Sequence, residues 1–290
     1  MTKKVKKSGY VAVLGRPNVG KSTLVNALVG EKVSIVTSKP QTTQLNILGI
    51  LHNRESQIVF IDTPGLLSER QMKYNSKALN REAVNALSQA DLVLMVVEAN
   101  IWKRADDYIL EHLKEINSNA ILTVNKVDRF KNKNSILDFL KDHSNNSQII
   151  ETVPVSALYN KNLSRLTTVI ERHLPVQTPK YKEGMITDKD TDFRITEIMR
   201  ERLMHHLRDE LPYSVECQLD HFDDKKKIVM IDLMIKTQKP AHKKIIIGKA
   251  GQLLKVIATE ARLEIENLLN KKVFLSTQVR SIKKGKSLRA

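Results

Sequence analysis

The chain has 290 residues, a net charge of +16 and 41% hydrophobic residues. This length and composition predict two folded domains with substantial cores and exclude a disordered chain. Cys217 is the only cysteine, which excludes a disulfide-linked scaffold and is consistent with a reducing compartment. No apolar run is long enough to cross a bilayer, and the basic start lacks the apolar stretch of a secretory signal, so we expect a cytoplasmic location.

Strands and helices alternate through the first domain, predicted to span residues 1–176. Apolar runs predict strands at 10–14, 45–51, 57–61, 91–97, 120–124 and 149–155. Helical periodicity predicts helices near 21–29, 74–89, 106–117, 135–142 and 162–173. This alternation is typical of a doubly wound α/β domain with a mostly parallel sheet, whose ligands bind at the carboxyl ends of the strands.

A phosphate-binding loop of the G-x-x-x-x-G-K-[ST] type follows the first strand at residues 15–22. Its glycines let backbone amides point at a phosphate, Lys21 is predicted to reach the β- and γ-phosphates, and Ser22 to bind Mg²⁺. The predicted nucleotide contacts here are Gly15, Arg16, Pro17, Asn18, Val19, Gly20, Lys21, Ser22 and Thr23. Asn18 is a candidate ligand for a potassium ion beside the phosphates; the alternative is that it only shapes the loop.

Two later segments predict a switch that senses the γ-phosphate. Asp62 ends a strand and is predicted to hold Mg²⁺ through a water, while the amide of Gly65 is predicted to contact the γ-phosphate. Thr43 is favoured over Thr42 as the mobile Mg²⁺ ligand; the alternative is a polar connector. Thr63, Pro64 and Leu66 complete the second segment. Leu66 stands where Ras-type enzymes carry a water-orienting glutamine, which predicts slow intrinsic turnover.

Base recognition is predicted at two further loops. Asp128 carries two acceptor oxygens that match the N1–H and exocyclic amino donors of guanine, so GTP should be preferred over ATP. Asn125 is predicted to tie this loop to the phosphate loop, and Lys126 to lie along the base. Val127, Ser156 and Ala157 complete the set, the amide of Ala157 donating to guanine O6. Together these motifs predict a GTP-hydrolysing switch.

A second domain is predicted at residues 183–290, after a proline-containing linker at 177–182. Its pattern is α-β-β-α-α-β. The predicted elements are a helix at 192–209, strands at 213–221 and 227–236 joined by a turn at Asp223–Asp224, helices at 241–246 and 252–269, and a strand at 273–279. The G-x-x-G sequence at 248–251 lies between two helices, as in a type II KH domain, whose loop clamps about four nucleotides. A plain helix–helix turn is the alternative.

The charge of this domain favours a nucleic-acid partner. Residues 225–290 contain 17 Lys and Arg against 4 Asp and Glu, which should attract polyanions. Ile246 and Ile247 are predicted to border a groove for bases. The predicted RNA contacts are Lys243, Lys244, Ile247, Gly248, Lys249, Ala250, Gly251, Lys255 and Arg262.

The order of these motifs resembles the Era family of bacterial GTPases over nearly the whole chain. The resemblance implies GTP-dependent binding of 16S ribosomal RNA near its 3′ end, assembly of the small ribosomal subunit and peripheral association with the cytoplasmic membrane; we also predict a monomer. Two features depart from the family: Gln44 replaces the usual arginine, and a short basic tail at 282–290 replaces a longer one. The alternatives are an RNA scaffold with negligible turnover, or a GTPase acting on another RNA or a membrane partner.

Overall fold

A computed structural model describes residues 7–40, 42–65, 76–130 and 133–282. The chain forms two compact units, which are divided between Asp188 and Lys189. The first unit contains strands β1 to β6 and helices α1 to α5. The second contains α6 to α8 and β7 to β9. No helix in these described ranges is both long and apolar enough to traverse a membrane.

The first unit is built on a six-stranded sheet with the order β2-β3-β1-β4-β5-β6. Its strands are β1 (Lys7–Leu14), β2 (Ile47–His52), β3 (Ser56–Asp62), β4 (Leu92–Glu98), β5 (Ala120–Asn125) and β6 (Ile149–Pro154). Only β2 runs antiparallel to its neighbour. The central strands are buried on both faces, which explains why they are continuous apolar runs rather than alternating ones.

Five helices cover the two faces of this sheet. They are α1 (Lys21–Val29), α2 (Ser76–Gln89), α3 (Arg104–Glu115), α4 (Lys133–Ser144) and α5 (Leu163–His173). Helices α1 and α5 pack with Val11 and Val13 of β1, whereas α2, α3 and α4 pack in the cluster that contains Ala12 and Leu14. Each fully buried Val or Leu contributes about 1.5–3 kcal/mol, so the two clusters hold the sheet rigid under the loops at its edge.

The carboxyl ends of the parallel strands lie at one edge of the sheet. Val13 pairs with Asp62 and Glu98 with Asn125, which brings the loops after β1, β3, β4 and β5 to the same level. The phosphate-binding and base-binding motifs that the structure describes lie on these loops, on the loop after β6 or at the start of α1, whereas Thr43 lies on the loop between α1 and β2. The sheet therefore assembles one site from segments that are far apart in sequence.

The segment after α5 belongs to the first unit rather than forming a free linker. The side chain of Gln177 donates to the carbonyl of Ser8 at 2.6 Å, and the amide of Ile50 donates to Ile186 at 2.8 Å. The predicted linker at 177–182 thus lies earlier than the division after Asp188. Pro179 disfavours a helix in this segment, but it does not prevent contacts with the sheet.

The second unit has the predicted α-β-β-α-α-β order. Its helices are α6 (Thr191–His206), α7 (Pro240–Ile247) and α8 (Gln252–Leu269), and its strands are β7 (Val215–Asp224), β8 (Ile228–Thr237) and β9 (Lys272–Ser281). The sheet order is β7-β8-β9, with β8 antiparallel to β7 and parallel to β9. The helices pack against one face of this sheet, around Ile195, Ile257 and Ile231.

Two sequence predictions about this unit are wrong. The turn predicted at Asp223–Asp224 lies instead at residues 225–227, because Asp224 still pairs with Val229 and its carboxylate accepts from Lys271 at 2.7 and 2.8 Å. Ile246 is fully buried in the core, so it cannot face a base. In both cases the tertiary environment overrides the local pattern.

Candidate functional site

Close backbone contacts explain the glycines of the phosphate loop and the second switch segment. A Cβ atom on Gly20 would lie 2.5 Å from the side-chain nitrogen of Asn125, and one on Gly65 would lie 2.7 Å from the backbone nitrogen of Pro17. Gly20 also has φ of 99°, in the left-handed region. The phosphate loop therefore lies in close contact with the side chain of Asn125 and with the backbone at Gly65.

Lys21 lies buried beneath the phosphate loop. Its ammonium group donates to the carbonyl oxygens of Gly15 and Arg16, each at 3.1 Å. Burial lowers the pKa of Lys21 to about 8; the negative charge of Asp62 raises it and the positive charge of Arg16 lowers it further. An anion bound in the loop would raise the pKa of Lys21 again and keep the ammonium group charged. The loop is therefore suited to bind a phosphate.

The side chain of Arg16 turns away from the loop opening. Its Nε atom donates to both carboxylate oxygens of Asp106, at 2.8 and 2.6 Å, and its Nη2 donates to the carbonyl of Ile101 at 3.0 Å. Arg16 can therefore contribute only backbone to the predicted nucleotide site. Asp106, 90 residues away, anchors the loop to the start of α3. The sequence carried no local signal for this pair.

Three of the predicted metal-binding oxygens lie in one buried region. The Ser22 hydroxyl lies 3.1 Å from that of Thr43, which is only 8% exposed. Neither carboxylate oxygen of Asp62 has a hydrogen-bond partner of ordinary geometry. Burial raises the pKa of Asp62, while the Ser22 hydroxyl and the charge of Lys21 lower it.

This donor set fits a magnesium ion that is bound together with phosphates. One orphaned carboxylate and two hydroxyls are hard oxygen ligands, and Mg²⁺ bound with a nucleotide needs only one or two carboxylates. Within the part of the chain that the structure describes, no group of three His, Cys, Asp or Glu side chains converges to form an all-protein metal cage. The residues present therefore fit a shared protein–phosphate site.

The structure distinguishes the two switch threonines. Thr42 donates to the carbonyl of Lys39 at 2.7 Å, and its hydroxyl lies 2.6 Å from that of Thr37. Thr43 instead faces Ser22. The geometry thus agrees with the preference for Thr43. Leu66 lies outside the described residues.

Asn18 joins the phosphate loop to the segment that carries the switch threonines. Its side-chain amide donates to the carbonyl of Ser38 at 2.9 Å, and its backbone has φ of 65°. One of the two N–H donors of the amide is thereby used, and the side-chain oxygen is the atom that could contact a cation.

Asn125 ties the base-binding loops to the phosphate loop, as predicted. Its side-chain nitrogen donates to the carbonyl of Val19 at 2.9 Å, and its side-chain oxygen accepts from the amide of Ala157 at 3.0 Å. The Ser156 hydroxyl donates to one carboxylate oxygen of Asp128 and so orients the predicted guanine reader. The remaining predicted contacts lie at the same edge of the sheet: Pro17, Thr23, Thr63, Pro64 and Val127.

Glu98 is a site residue that sequence reasoning missed. Lys126 donates to the carbonyl of Asn18 at 2.6 Å and forms an ion pair with Glu98 at 2.8 Å. Arg129 contacts the other oxygen of Glu98 at 2.5 Å. Glu98 thereby holds the lysine that is predicted to cover the base.

The G-x-x-G loop of the second unit joins α7 to α8 through left-handed backbone. Gly248, Ala250 and Gly251 have φ of 73°, 49° and 77°. A Cβ atom on Gly248 would lie 2.6 Å from the Cβ of Leu253, whereas one on Gly251 would meet open space. The loop lies at the amino end of α8, where the helix dipole favours an anion such as a phosphate.

Four lysines around this loop are available to a polyanion. Within the described ranges, no carboxylate pairs with the side chain of Lys243, Lys244, Lys249 or Lys255. Arg262 differs, because it donates to Glu266 at 2.6 Å. Its predicted role in RNA binding therefore competes with an ion pair inside the domain.

Exposed apolar side chains beside the loop were not singled out in the sequence. Ile245 on α7 is 55% exposed and Val256 on α8 is 46% exposed, whereas Ile247 is only partly exposed and packs on the core. Ile245 and Val256 replace Ile246 as candidates to border a base.

Comparisons with known proteins match both parts of the chain. Residues 10–126 match the family described as 50S ribosome-binding GTPase, and residues 210–287 match the KH domain family. GTPase Era of Vibrio parahaemolyticus is 38% identical over 279 residues, 96% of this chain and 87% of that protein. The chain belongs to the Era family of GTPases. GTPase Era of Xylella fastidiosa is 41% identical over 273 residues, 94% of this chain and 91% of that protein.

Solved Era structures share the same fold. A crystal structure of Era in complex with MgGDPNP and nucleotides 1506–1542 of 16S ribosomal RNA matches with a TM-score of 0.88 at 35% identity, covering 96% of this chain and 95% of that one. A structure of an Aquifex aeolicus Era variant bound to GDP.AlF4- gives the same TM-score and identity. The predicted family, the two-part fold and the GTPase activity are thereby confirmed.

Proposed function

We propose that this Era-family GTPase is a switch that binds 16S ribosomal RNA near its 3′ end and assists assembly of the small ribosomal subunit. The observation that carries the proposal is the presence of both sites in one chain: nucleotide motifs gathered at the sheet edge, and a G-x-x-G loop flanked by lysines that pair with no carboxylate among the described residues. The Era complex with MgGDPNP and 16S ribosomal RNA supports the choice of ligands.

In the proposed mechanism the phosphate loop holds GTP by backbone amides and Lys21. Ser22, Thr43 and Asp62, the last through a water, would hold Mg²⁺. The metal, when bound, neutralises the charge of the phosphate oxygens. Lys21 stays protonated against the β- and γ-phosphates and stabilises charge that develops as water attacks the γ-phosphate.

Thr43 and Gly65 make the site sensitive to the γ-phosphate. Both come from loops rather than from the sheet, and both reach the phosphate loop closely, at Ser22 and Pro17. Loss of the γ-phosphate would remove their shared partner and release these loops. The GTP and GDP states then differ in the positions of these loops. If RNA binds one state more tightly than the other, nucleotide and RNA binding are coupled, because only a difference in affinity shifts the equilibrium between two states.

Guanine selectivity rests on Asp128. Ser156 orients one carboxylate oxygen of Asp128, and Asn125 fixes the loop that carries Ala157. An adenine would leave the carboxylate without its donors, a penalty that can exceed a factor of ten. Lys126, braced by Glu98, would cover the base.

We further propose that Asn18 uses its free acceptor oxygen toward potassium. That cation would stabilise charge beside the phosphates in the way an arginine finger does. From the family resemblance we also propose peripheral contact with the cytoplasmic membrane, and we propose that the protein is a monomer.

GTP hydrolysis in potassium buffer tests this function most directly. Turnover is measured with and without an RNA matching the 3′ end of 16S ribosomal RNA, and repeated in sodium buffer. We expect RNA to stimulate turnover, Lys21→Ala to abolish it, and sodium to reduce it. Flat turnover with intact RNA binding would contradict the coupling of the two sites. Equal rates in the two salts would contradict only the role of Asn18.

A further inference from the structure

Asn46 joins the segment that carries Thr43 to helix α2. Its side-chain nitrogen donates to the backbone carbonyl of Glu82 at 3.0 Å and, at the longer distance of 3.3 Å, to a carboxylate oxygen of the same residue. Both partners are acceptors, so only the NH2 half of the amide can face them. One side chain thereby fastens the chain just before β2 to the middle of α2.

Asn46 lies at the edge of the sheet where the nucleotide motifs meet. Strand β2 runs antiparallel to β3, and its first residue, Ile47, pairs with Asp62. Asn46 directly precedes Ile47 and follows Thr43 by three residues. The hydrogen bond to α2 is therefore made where the loop of Thr43 enters the rigid sheet.

Helix α2 follows the second switch segment along the chain. It is the next described element after Gly65. Thr43 lies 3.1 Å from Ser22 through their hydroxyls, and a Cβ atom on Gly65 would lie 2.7 Å from the backbone nitrogen of Pro17. Both switch segments thus lie against the phosphate loop in the same arrangement in which the Asn46 hydrogen bond is made.

The contact between Asn46 and α2 has a cost for the fold. The side-chain oxygen of Asn46 is buried and has no hydrogen-bond partner among the described residues, which destabilises a folded chain. Packing does not require a polar residue here, because Leu48 already packs against the cluster that contains Ala83 of α2. The hydrogen bond therefore points to a role in joining the two segments.

We propose that Asn46 is a positioning residue of the GTPase switch, which makes the segments of Thr43 and Gly65 close on the phosphate loop together. The inference rests on the proposed function, in which these two residues sense the γ-phosphate. A bond that is made only when both segments are closed stabilises the GTP state and not the GDP state. Asn46 should therefore raise the affinity for nucleotides that carry a γ-phosphate.

Asn53 supplies a matched control at the other end of the same strand. It directly follows the last residue of β2, and its side-chain nitrogen donates to a carboxylate oxygen of Glu171 at 2.8 Å. The neighbouring His52 pairs with Gln57, near the amino end of β3 and away from the nucleotide motifs. Removing the Asn53 side chain removes an asparagine hydrogen bond from β2 without touching the switch.

The test compares the affinities of the full chain for GDP and for a non-hydrolysable GTP analogue, both with Mg²⁺, by displacement of a fluorescent nucleotide. Asn46→Ala should weaken analogue binding by about threefold to tenfold, the size expected of one hydrogen bond, and leave GDP binding unchanged. Asn53→Ala should keep the wild-type ratio of the two affinities. Glu82→Ala should change the ratio by no more than about twofold, because the carbonyl that accepts the shorter bond remains.

Asn46→Asp separates the loss of the donor from a change in side-chain size. Its carboxylate would face two acceptor oxygens, so the affinity ratio should fall at least as far as in Asn46→Ala. Melting temperatures without nucleotide show that each variant is folded before its affinities are compared.

Thr43→Ala and the double variant with Asn46→Ala test the coupling. If Asn46 acts through the closed position of Thr43, the double variant should lose less analogue affinity than the two single losses combined. A wild-type affinity ratio in Asn46→Ala, or two losses that add in full, would overturn the proposal. A wild-type ratio in Thr43→Ala would instead contradict the γ-phosphate sensing on which the inference rests.

Discussion

The nucleotide site and the G-x-x-G loop differ in how many internal contacts their side chains make. At the sheet edge, Asn125, Arg16 and Lys21 are nearly buried and each makes at least two hydrogen bonds. Around residues 248–251 the lysines pair with no carboxylate in the part of the chain that the structure describes. The first site is organised by internal contacts, so removing one partner should be costly. The second attracts its ligand by charge, so single losses should be small and should depend on salt.

Of the substitutions considered, Asp106→Ala should have the largest effect on the nucleotide site. Asp106→Ala leaves the guanidinium of Arg16 buried without its partner, which costs about 3–5 kcal/mol. We expect the free energy of unfolding of the first unit to fall by that amount, measured by urea denaturation, with loss of GTP binding. The neighbouring exposed Asp107→Ala serves as the control. An equal cost for both variants would show that the ion pair does not anchor the loop.

In the G-x-x-G loop, where most single substitutions should have small effects, Gly248→Ala should have a large one. Gly248→Ala places a Cβ 2.6 Å from Leu253 at a φ of 73°, so we expect strain of about 1–3 kcal/mol and a marked loss of RNA affinity. Gly251→Ala meets open space and carries only the left-handed penalty of about 1 kcal/mol. RNA titrations of both variants check the difference; a loss at Gly251 as large as at Gly248 would contradict the packing argument.

The charge of Lys21 should make phosphate binding depend on pH. Its pKa of about 8 in the free protein means that the ammonium form, which binds phosphate, is lost as pH rises through 8. Bound phosphates keep the group protonated, so GTP affinity should fall by up to about tenfold per pH unit above 8, with uptake of a proton on binding.

Calorimetry without Mg²⁺ in buffers of different ionisation enthalpy measures that proton uptake. Asp62→Asn should move the onset to lower pH, because the negative charge of Asp62 raises the pKa of Lys21. An affinity that stays constant from pH 7 to 9 would show that Lys21 keeps its proton throughout.

Single lysines near the RNA loop should have the smallest effects. Lys249→Ala should lower the slope of log affinity against log salt by about one unit and weaken binding similarly for all RNA sequences. Arg262→Ala should leave that slope unchanged, because Arg262 is paired with Glu266. Salt titrations of RNA binding compare the two, and an equal change of slope would mean that Arg262 leaves its partner to bind RNA.

The elements were predictable where local pattern and packing agree. Helix α8 matches its predicted bounds because its apolar residues recur at helical spacing and its ends are set by Gly251 and Asn270 in left-handed backbone. The turn after β7 was not predictable from the sequence. Two aspartates favour a turn locally, but Asp224 pairs with a residue of β8 and accepts a hydrogen bond from Lys271. The predicted boundary of a strand or helix is wrong where contacts with residues distant in sequence outweigh the local preference.

By itself, the sequence determined the nucleotide motifs, their order on strand ends and the G-x-x-G loop between two helices, because each depends on backbone requirements and side-chain chemistry within a few residues. Only the tertiary structure decided that Thr43 rather than Thr42 lies within hydrogen-bond distance of Ser22, and that the side chain of Arg16 binds Asp106. It also placed Ile246 in the core. These outcomes depend on which segments the sheet brings together, and sequence spacing does not encode that geometry.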